Sequence, residues 1–225
     1  TSSAPARATG RTTAATPASS PWPIIVTQSE NGRIAPNGQR VYRAMTERLR
    51  PQLEAAGRAN GIPSEFLLTW VNMESGGNWR ASDGNRADLA AKGIFQLTPE
   101  ECATLGVDWH TLLGDASTAT SIEVGVRYIL TSRERANRVA RNLGLAWSEA
   151  DMWRLTKFAT HNLPSYAAQA LPHAVALLGR APRDWAEFYA TVIGDATSVQ
   201  RKALNNATAV GTMLGASGTM VSDSD

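Results

Sequence analysis

The sequence predicts an all-α fold, and three observations carry that expectation. Apolar residues recur at three- and four-residue spacing in most segments after Gln39, and clear start and stop signals separate those segments. No convincing set of alternating apolar and polar strands is present, and no internal repeat.

Residues 1–36 read as a flexible, low-complexity leader or linker. Up to about residue 22 this stretch is Thr, Ser, Ala, Pro, Gly and Arg without apolar periodicity, and it buries too little surface to offset the entropy of ordering it. The main domain is expected over 37–195, with a C-terminal helix and frayed tail over 196–225. From Gln39, Val41, Met45, Leu49 and Leu53 recur every fourth residue; Pro51 is expected to kink or split this helix, and Gly61 with Pro63 ends it. The next helix starts with Ser64 as its N-cap and runs to Glu74, with Leu67, Trp70, Val71 and Glu74 on one stripe. Ser75-Gly76-Gly77-Asn78 stops it.

After a polar loop containing Asp83, Gly84 and Asn85, Gly93-Ile94-Phe95-Gln96-Leu97 is too short for a stable helix and is expected to be extended. Thr98-Pro99-Glu100-Glu101 then reads as a capping box with Pro at the first helical position, and Gly106 closes that short helix. A long helix follows from about Ser117 to Asn142, with Ile122, Val126, Ile129 and Leu130 on one side. Another runs from Ser148 to about Thr160, its inner face made by Met152, Leu155 and Ala159. Beyond Pro164, helices are expected near 165–170, 172–179 and 184–193, and a weaker one over about 196–213.

Composition excludes several function classes. The chain has 225 residues, 43% of them hydrophobic, which suits one substantial globular domain. A net charge of +2 with scattered Lys and Arg gives nucleic-acid binding little support. Cys102 stands alone, so an intrachain disulfide is impossible, and it reads as a small core residue. Three histidines without ligand spacing argue against a metal site, and no cofactor is implied. No run approaches the roughly 18 apolar residues that span a bilayer. The start at Thr1, without Met or a charged-then-apolar leader, reads as a processed product or a piece of something longer.

Glu74 is the residue that points to chemistry. It continues an apolar stripe, so it is expected to face the core while the glycines beside it open the backbone as a cleft requires. A carboxyl half-desolvated against Trp or Leu keeps its proton to higher pH, as a general acid must. The bland alternative is a helix-terminal glutamate solvated past the core.

Glu74-Ser75-Gly76-Gly77-Asn78, followed by Gly93-Ile94-Phe95-Gln96-Leu97-Thr98-Pro99, resembles the two leading signatures of the soluble lytic transglycosylase family. Ala159-Thr160-His161-Asn162-Leu163 is a partial counterpart of the family's third motif, commonly Ala-Tyr-Asn-Ala-Gly, and the likeness spans roughly residues 62 to 165. The resemblance implies a lysozyme-like domain that cleaves the MurNAc-GlcNAc β-1,4 bond of peptidoglycan glycan strands. One glutamate, here Glu74, first protonates the leaving oxygen and then deprotonates the sugar's 6-hydroxyl, leaving a 1,6-anhydro product. The same resemblance makes Ser75, Asn78, Gly93, Phe95 and Gln96 one cleft wall, and His161 with Asn162 the other. The chain departs from the family where His161 replaces the tyrosine and Leu163-Pro164 replaces Ala-Gly; Tyr166 lies close enough in sequence to supply a phenol instead.

Asp83 and Asp88, the nearest downstream acids, have no position that fixes them opposite Glu74, so no second catalytic carboxylate is expected. Gln96 reads either as a cleft residue or as a cap for its own turn, and His161 as a cleft residue or a helix-ending histidine favoured by the macrodipole. Trp70 reads as core, and Trp79 stays open between core and sugar platform. Two rivals remain: a hydrolytic lysozyme of the same fold, and a weakly active or inactive wall-binding module. The setting expected is the periplasm or cell envelope, or a phage virion component delivered there, as part of a larger chain or envelope-spanning assembly.

Overall fold

The computed structural model describes residues 44–78, 91–112, 118–160 and 164–216, of which 44, 164–167 and 211–216 are described by backbone alone. The chain is mostly helical, and among the described residues the only β feature is an isolated bridge between Lys92 and Leu97. The helices are α1 (Ala44–Asn60), α2 (Ser64–Glu74), α3 (Pro99–Thr104), α4 (Thr118–Asn142), α5 (Glu149–Thr160), α6 (Pro164–Leu178), α7 (Trp185–Val192) and α8 (Ser198–Ala216), with a 3₁₀ turn at Trp109–Leu112.

Two helices lie inside, buried on nearly every side, polar residues included. In α2 every residue from Phe66 to Asn72 is buried, and in α5 every residue from Asp151 to Phe158. α5 packs on α4 and α8, while α2 packs on α1 and α8. Around them sit two apolar clusters. One joins α1, α2, the 94–97 turn and the first half of α4 around Trp70, Phe95 and Trp153. The other joins the end of α4 with α6, α7 and α8 around Phe158, Trp185 and Phe188.

Several expectations are corrected. The inner stripe of α1 is Thr46, Leu49 and Leu53, whereas Met45 is 39% exposed. A strict four-residue repeat drifts off a 3.6-residue face, and Met45 is where it leaves. α1 runs unbroken past Pro51, and α6 past Pro172, in place of two helices at 165–170 and 172–179. Both prolines are exposed, and the buried Leu49 and Leu53, and Leu171 and Ala174, hold each helix to the core through the lost hydrogen bond. Ser64 is the first helical residue of α2 rather than its cap, because Pro63 occupies the N-cap position.

Residues 93–96 form turns instead of an extended segment. Past residue 196 the chain continues as α8. Ala203, Leu204 and Ala207 are buried in one cluster and Val210 in the other, so α8 runs through both. The capping box stands as expected: Thr98 accepts from the Glu101 amide, and Glu101 accepts from the Thr98 amide at 2.7 Å. The leader at 1–36, Val41, the 79–90 loop and the tail beyond 216 lie outside the described residues.

Candidate active site

The site is built where α2 stops. Gly76 and Gly77 take φ of 63° and 79°, a left-handed bend that turns the chain away from Glu74. Gly77 also lies against the first turn of α1, where an added Cβ would sit 2.4 Å from the Thr46 nitrogen. Ser75 fastens the bend to the next motif. Its hydroxyl donates to the Ile94 carbonyl at 2.8 Å, lies 3.2 Å from the Val71 carbonyl and accepts the Gly77 amide at 3.1 Å.

The 92–97 turn is pinned on three sides. The Lys92 and Leu97 amides and carbonyls exchange hydrogen bonds at its base, and the Trp109 indole donates to the Leu97 carbonyl at 3.1 Å. The Phe95 ring is buried against α4 at Gly125, where a Cβ would meet it at 2.3 Å. Gln96 has φ of 51°, the one non-glycine residue with positive φ among those described. That conformation costs about 1–2 kcal/mol, and the Gln96 side-chain amide offsets part of it by donating to the Gly93 carbonyl at 2.7 Å. Lys92 lies with its ammonium 3.4 Å from the centre of the Trp109 ring.

Glu74 has 26% of its side chain exposed, so it lies at the rim of the core. The Lys157 ammonium of α5 donates to Glu74 Oε1 at 2.6 Å, and only 2% of the Lys157 side chain is exposed. The same ammonium lies 3.9 Å from the centre of the Trp70 ring, one helical turn before Glu74. The cation acts against the effect expected from the sequence. An apolar surround would favour the protonated carboxyl, whereas an ammonium in contact favours the carboxylate.

One turn beyond Lys157, the α5 terminus meets α4. The Tyr128 hydroxyl donates to Glu101 Oε1 and lies 3.1 Å from the Thr160 carbonyl. Burial, then the charge and hydrogen bond of Glu101, holds this phenol well above its ordinary range, and Glu74 adds to the effect. Tyr128 therefore stays a neutral donor at any ordinary pH.

These bonds bring three distant stretches together: Glu74 to Asn78, Lys92 to Leu97, and Lys157 to Thr160. Of the site residues expected from sequence, Glu74 is at the rim and Asn78 is half-buried. Ser75 is buried and acts as a fastener, and Phe95 is a core residue, so that side chain supports the turn from behind. Gln96 is engaged with its own turn. Gly93, at φ of 75°, packs near Leu112 and Ser121. His161, Asn162, Trp79, Asp83 and Asp88 lie outside the described residues, as does the Tyr166 side chain.

Sequence reasoning missed Lys157, Tyr128 and Glu101. A lysine directly before Phe158, two residues after the inner-face Leu155, was the available signal for the first. Among the described residues no cluster of three or more His, Cys, Asp or Glu could hold a metal ion, and no helix is long and apolar enough to cross a membrane. No protein-family model matches the chain, and no curated protein does.

Proposed function

We propose that this chain is a lysozyme-like domain that cleaves peptidoglycan as a lytic transglycosylase, with Glu74 as its acid and base, in the cell envelope or as a virion component delivered to it. One observation carries the reading: a half-buried glutamate at a helix end, tied through Ser75 to the strained turn at Gln96 and through Lys157 to the end of α5. Chemistry on a glycan needs a carboxyl at a cleft rim with fixed backbone on either side, and strained backbone recurs at such places.

In this account Glu74 protonates the glycosidic oxygen as the C1–O bond breaks. The resulting carboxylate then removes the proton of the sugar's 6-hydroxyl as O6 closes on C1, so no water is consumed. The turn around Gly93 to Gln96 offers backbone groups to the sugar, while Ser75 and Phe95 hold that turn still. Asn78 lies at the mouth, and His161 with Asn162 would close the far side.

The test is mass analysis of soluble fragments after incubation with purified peptidoglycan. Fragments ending in 1,6-anhydro-muramic acid, lighter by one water than hydrolysis products, are expected. Mainly reducing-end muramic acid would move the protein to the hydrolytic lysozyme reading. The Lys157 contact favours a second reading, a wall-binding module with little catalysis, because it keeps the acid ionised at neutral pH. No fragments at any pH, with sacculus binding retained, would select it.

A further inference from the structure

Lys157 is an unusual neighbour for a general acid. An ammonium removed from water is costly unless a partner compensates it, and here two surfaces of α2 do so: the Trp70 ring face at 3.9 Å and Glu74 Oε1 at 2.6 Å. Among the described residues Lys157 has no second ion-pair partner. With 2% of its side chain exposed, it cannot swing out to solvent as a surface lysine would. The contact is thus a fixed part of the core and not a salt-screened pair on the surface.

Among the described residues, α3 and α4 bring further titratable or charged groups toward the pair. From α4, Tyr128 feels the Glu74 charge but keeps its proton because of burial and Glu101. From α3, Glu101 spends both carboxyl oxygens on the Tyr128 hydroxyl and the Thr98 amide. Arg135 on α4 acts on Tyr128 in the same sense as any cation, favouring negative charge nearby. Lys157 is in direct contact with the Glu74 carboxyl, at 2.6 Å.

We infer that Lys157 is a positioning residue that clamps Glu74 to α5 as a carboxylate, so that the site rests ready as a base and becomes an acid only when the pair takes up a proton at acidic pH. The inference rests on Glu74 being the acid of the proposed reaction. In that reaction the proton taken up from solution on the Glu74 carboxyl passes to the leaving oxygen, and the 6-hydroxyl proton returns to the same carboxyl. Lys157 takes no part in the proton transfers. Wall cleavage is then confined to the acid side of neutrality.

The experiment follows the Glu74 carboxyl itself. In the full chain carrying ¹³C-labelled glutamate, the Glu74 signal is assigned by its loss in Glu74→Gln and titrated in wild type, Lys157→Met, Lys157→Gln and Lys157→Arg, with pH profiles of sacculus lysis alongside. Wild type and Lys157→Arg should titrate below the ordinary glutamate value of about 4.3. Lys157→Met and Lys157→Gln should titrate about one to three pH units higher, with lysis at neutral pH raised about ten- to a thousandfold.

Lys157→Gln keeps a hydrogen-bond donor and supplies the comparison if the Met variant does not fold. An unchanged midpoint without the ammonium overturns the clamp, whatever the lytic activity. A raised midpoint with no lysis in any protein supports the clamp and overturns the glycan-cleaving reading instead.

Discussion

Around Phe158, Trp185 and Phe188 the interior is a nest of aromatic rings with centroids 5.3 to 5.8 Å apart, closed by alanines of α4, α6 and α8. Around Trp70, Phe95 and Trp153 the interior also encloses Thr46, Thr69, Asn72, Ser75 and Ser121. The indoles make the contrast sharper. In the first region Trp147 donates to the Pro182 carbonyl at 2.8 Å and Trp185 to the Thr208 hydroxyl at 2.9 Å. In the second, the indole N–H groups of Trp70 and Trp153 are buried without a hydrogen-bond partner. Each such group costs about 1–3 kcal/mol. Local departures of this kind collect where a core serves more than stability, and under the proposed function that difference separates scaffold from site.

The comparison makes predictions of graded size. The largest stability effect belongs to the scaffold. Trp185→Ala should cost about 3–5 kcal/mol by leaving a cavity among the rings, read as a lowered denaturation midpoint, while the folded fraction keeps its lytic rate per molecule. Equal loss of rate in folded protein would break the division into scaffold and site.

Next comes Ser75→Ala, which strips the Ile94 carbonyl of its buried donor and should cost about 1–3 kcal/mol. Because it frees the turn from the α2 end, lysis should fall by more than the unfolded fraction explains. Gly125→Ala should likewise destabilise by about 1–3 kcal/mol, since the added methyl meets the Phe95 ring. Pairing it with Phe95→Leu should recover part of that loss.

The smallest effect is on pH dependence far from the site. The hydrogen bond from Arg180, then those from Arg183, hold the Glu187 carboxyl well below the ordinary carboxylate range. A depressed folded value gives stability that is present above the unfolded value of about 4.3 and is lost as pH falls through the folded one. Glu187→Gln should therefore lower stability near neutrality, with the difference from wild type shrinking as pH falls through the folded value of Glu187, so that the acid side of the profile flattens.

What was legible in the sequence follows the same division. Period and start signals located α3, α4, α5 and α7 to within a residue or two, because such signals are local, as Thr98 with Glu101 is for α3. The prolines at 51 and 172 misled, since whether a lost hydrogen bond breaks a helix depends on what its other face buries. At the site, the end of α2 at Glu74 and the bend at Gly76 and Gly77 were readable from adjacent residues. The Lys157 contact was not, because it joins residues 83 apart and depends on how α5 rotates against α2. Where the side chains of Gln96 and Phe95 lie was hidden for a related reason. A turn's side chains point where its φ values send them, and the left-handed Gln96 cannot be foreseen from an extended reading.

The central claim is that Glu74 carries the chemistry, and Glu74→Gln tests it most directly because it removes the transferable proton while keeping side-chain shape. Lysis of purified sacculi should be measured across acidic and neutral pH for folded wild type and variant at equal binding. The account predicts that the variant binds sacculi like wild type and loses about 10²- to 10⁴-fold in lytic rate at the wild-type optimum. Wild-type clearing by folded Glu74→Gln would contradict it.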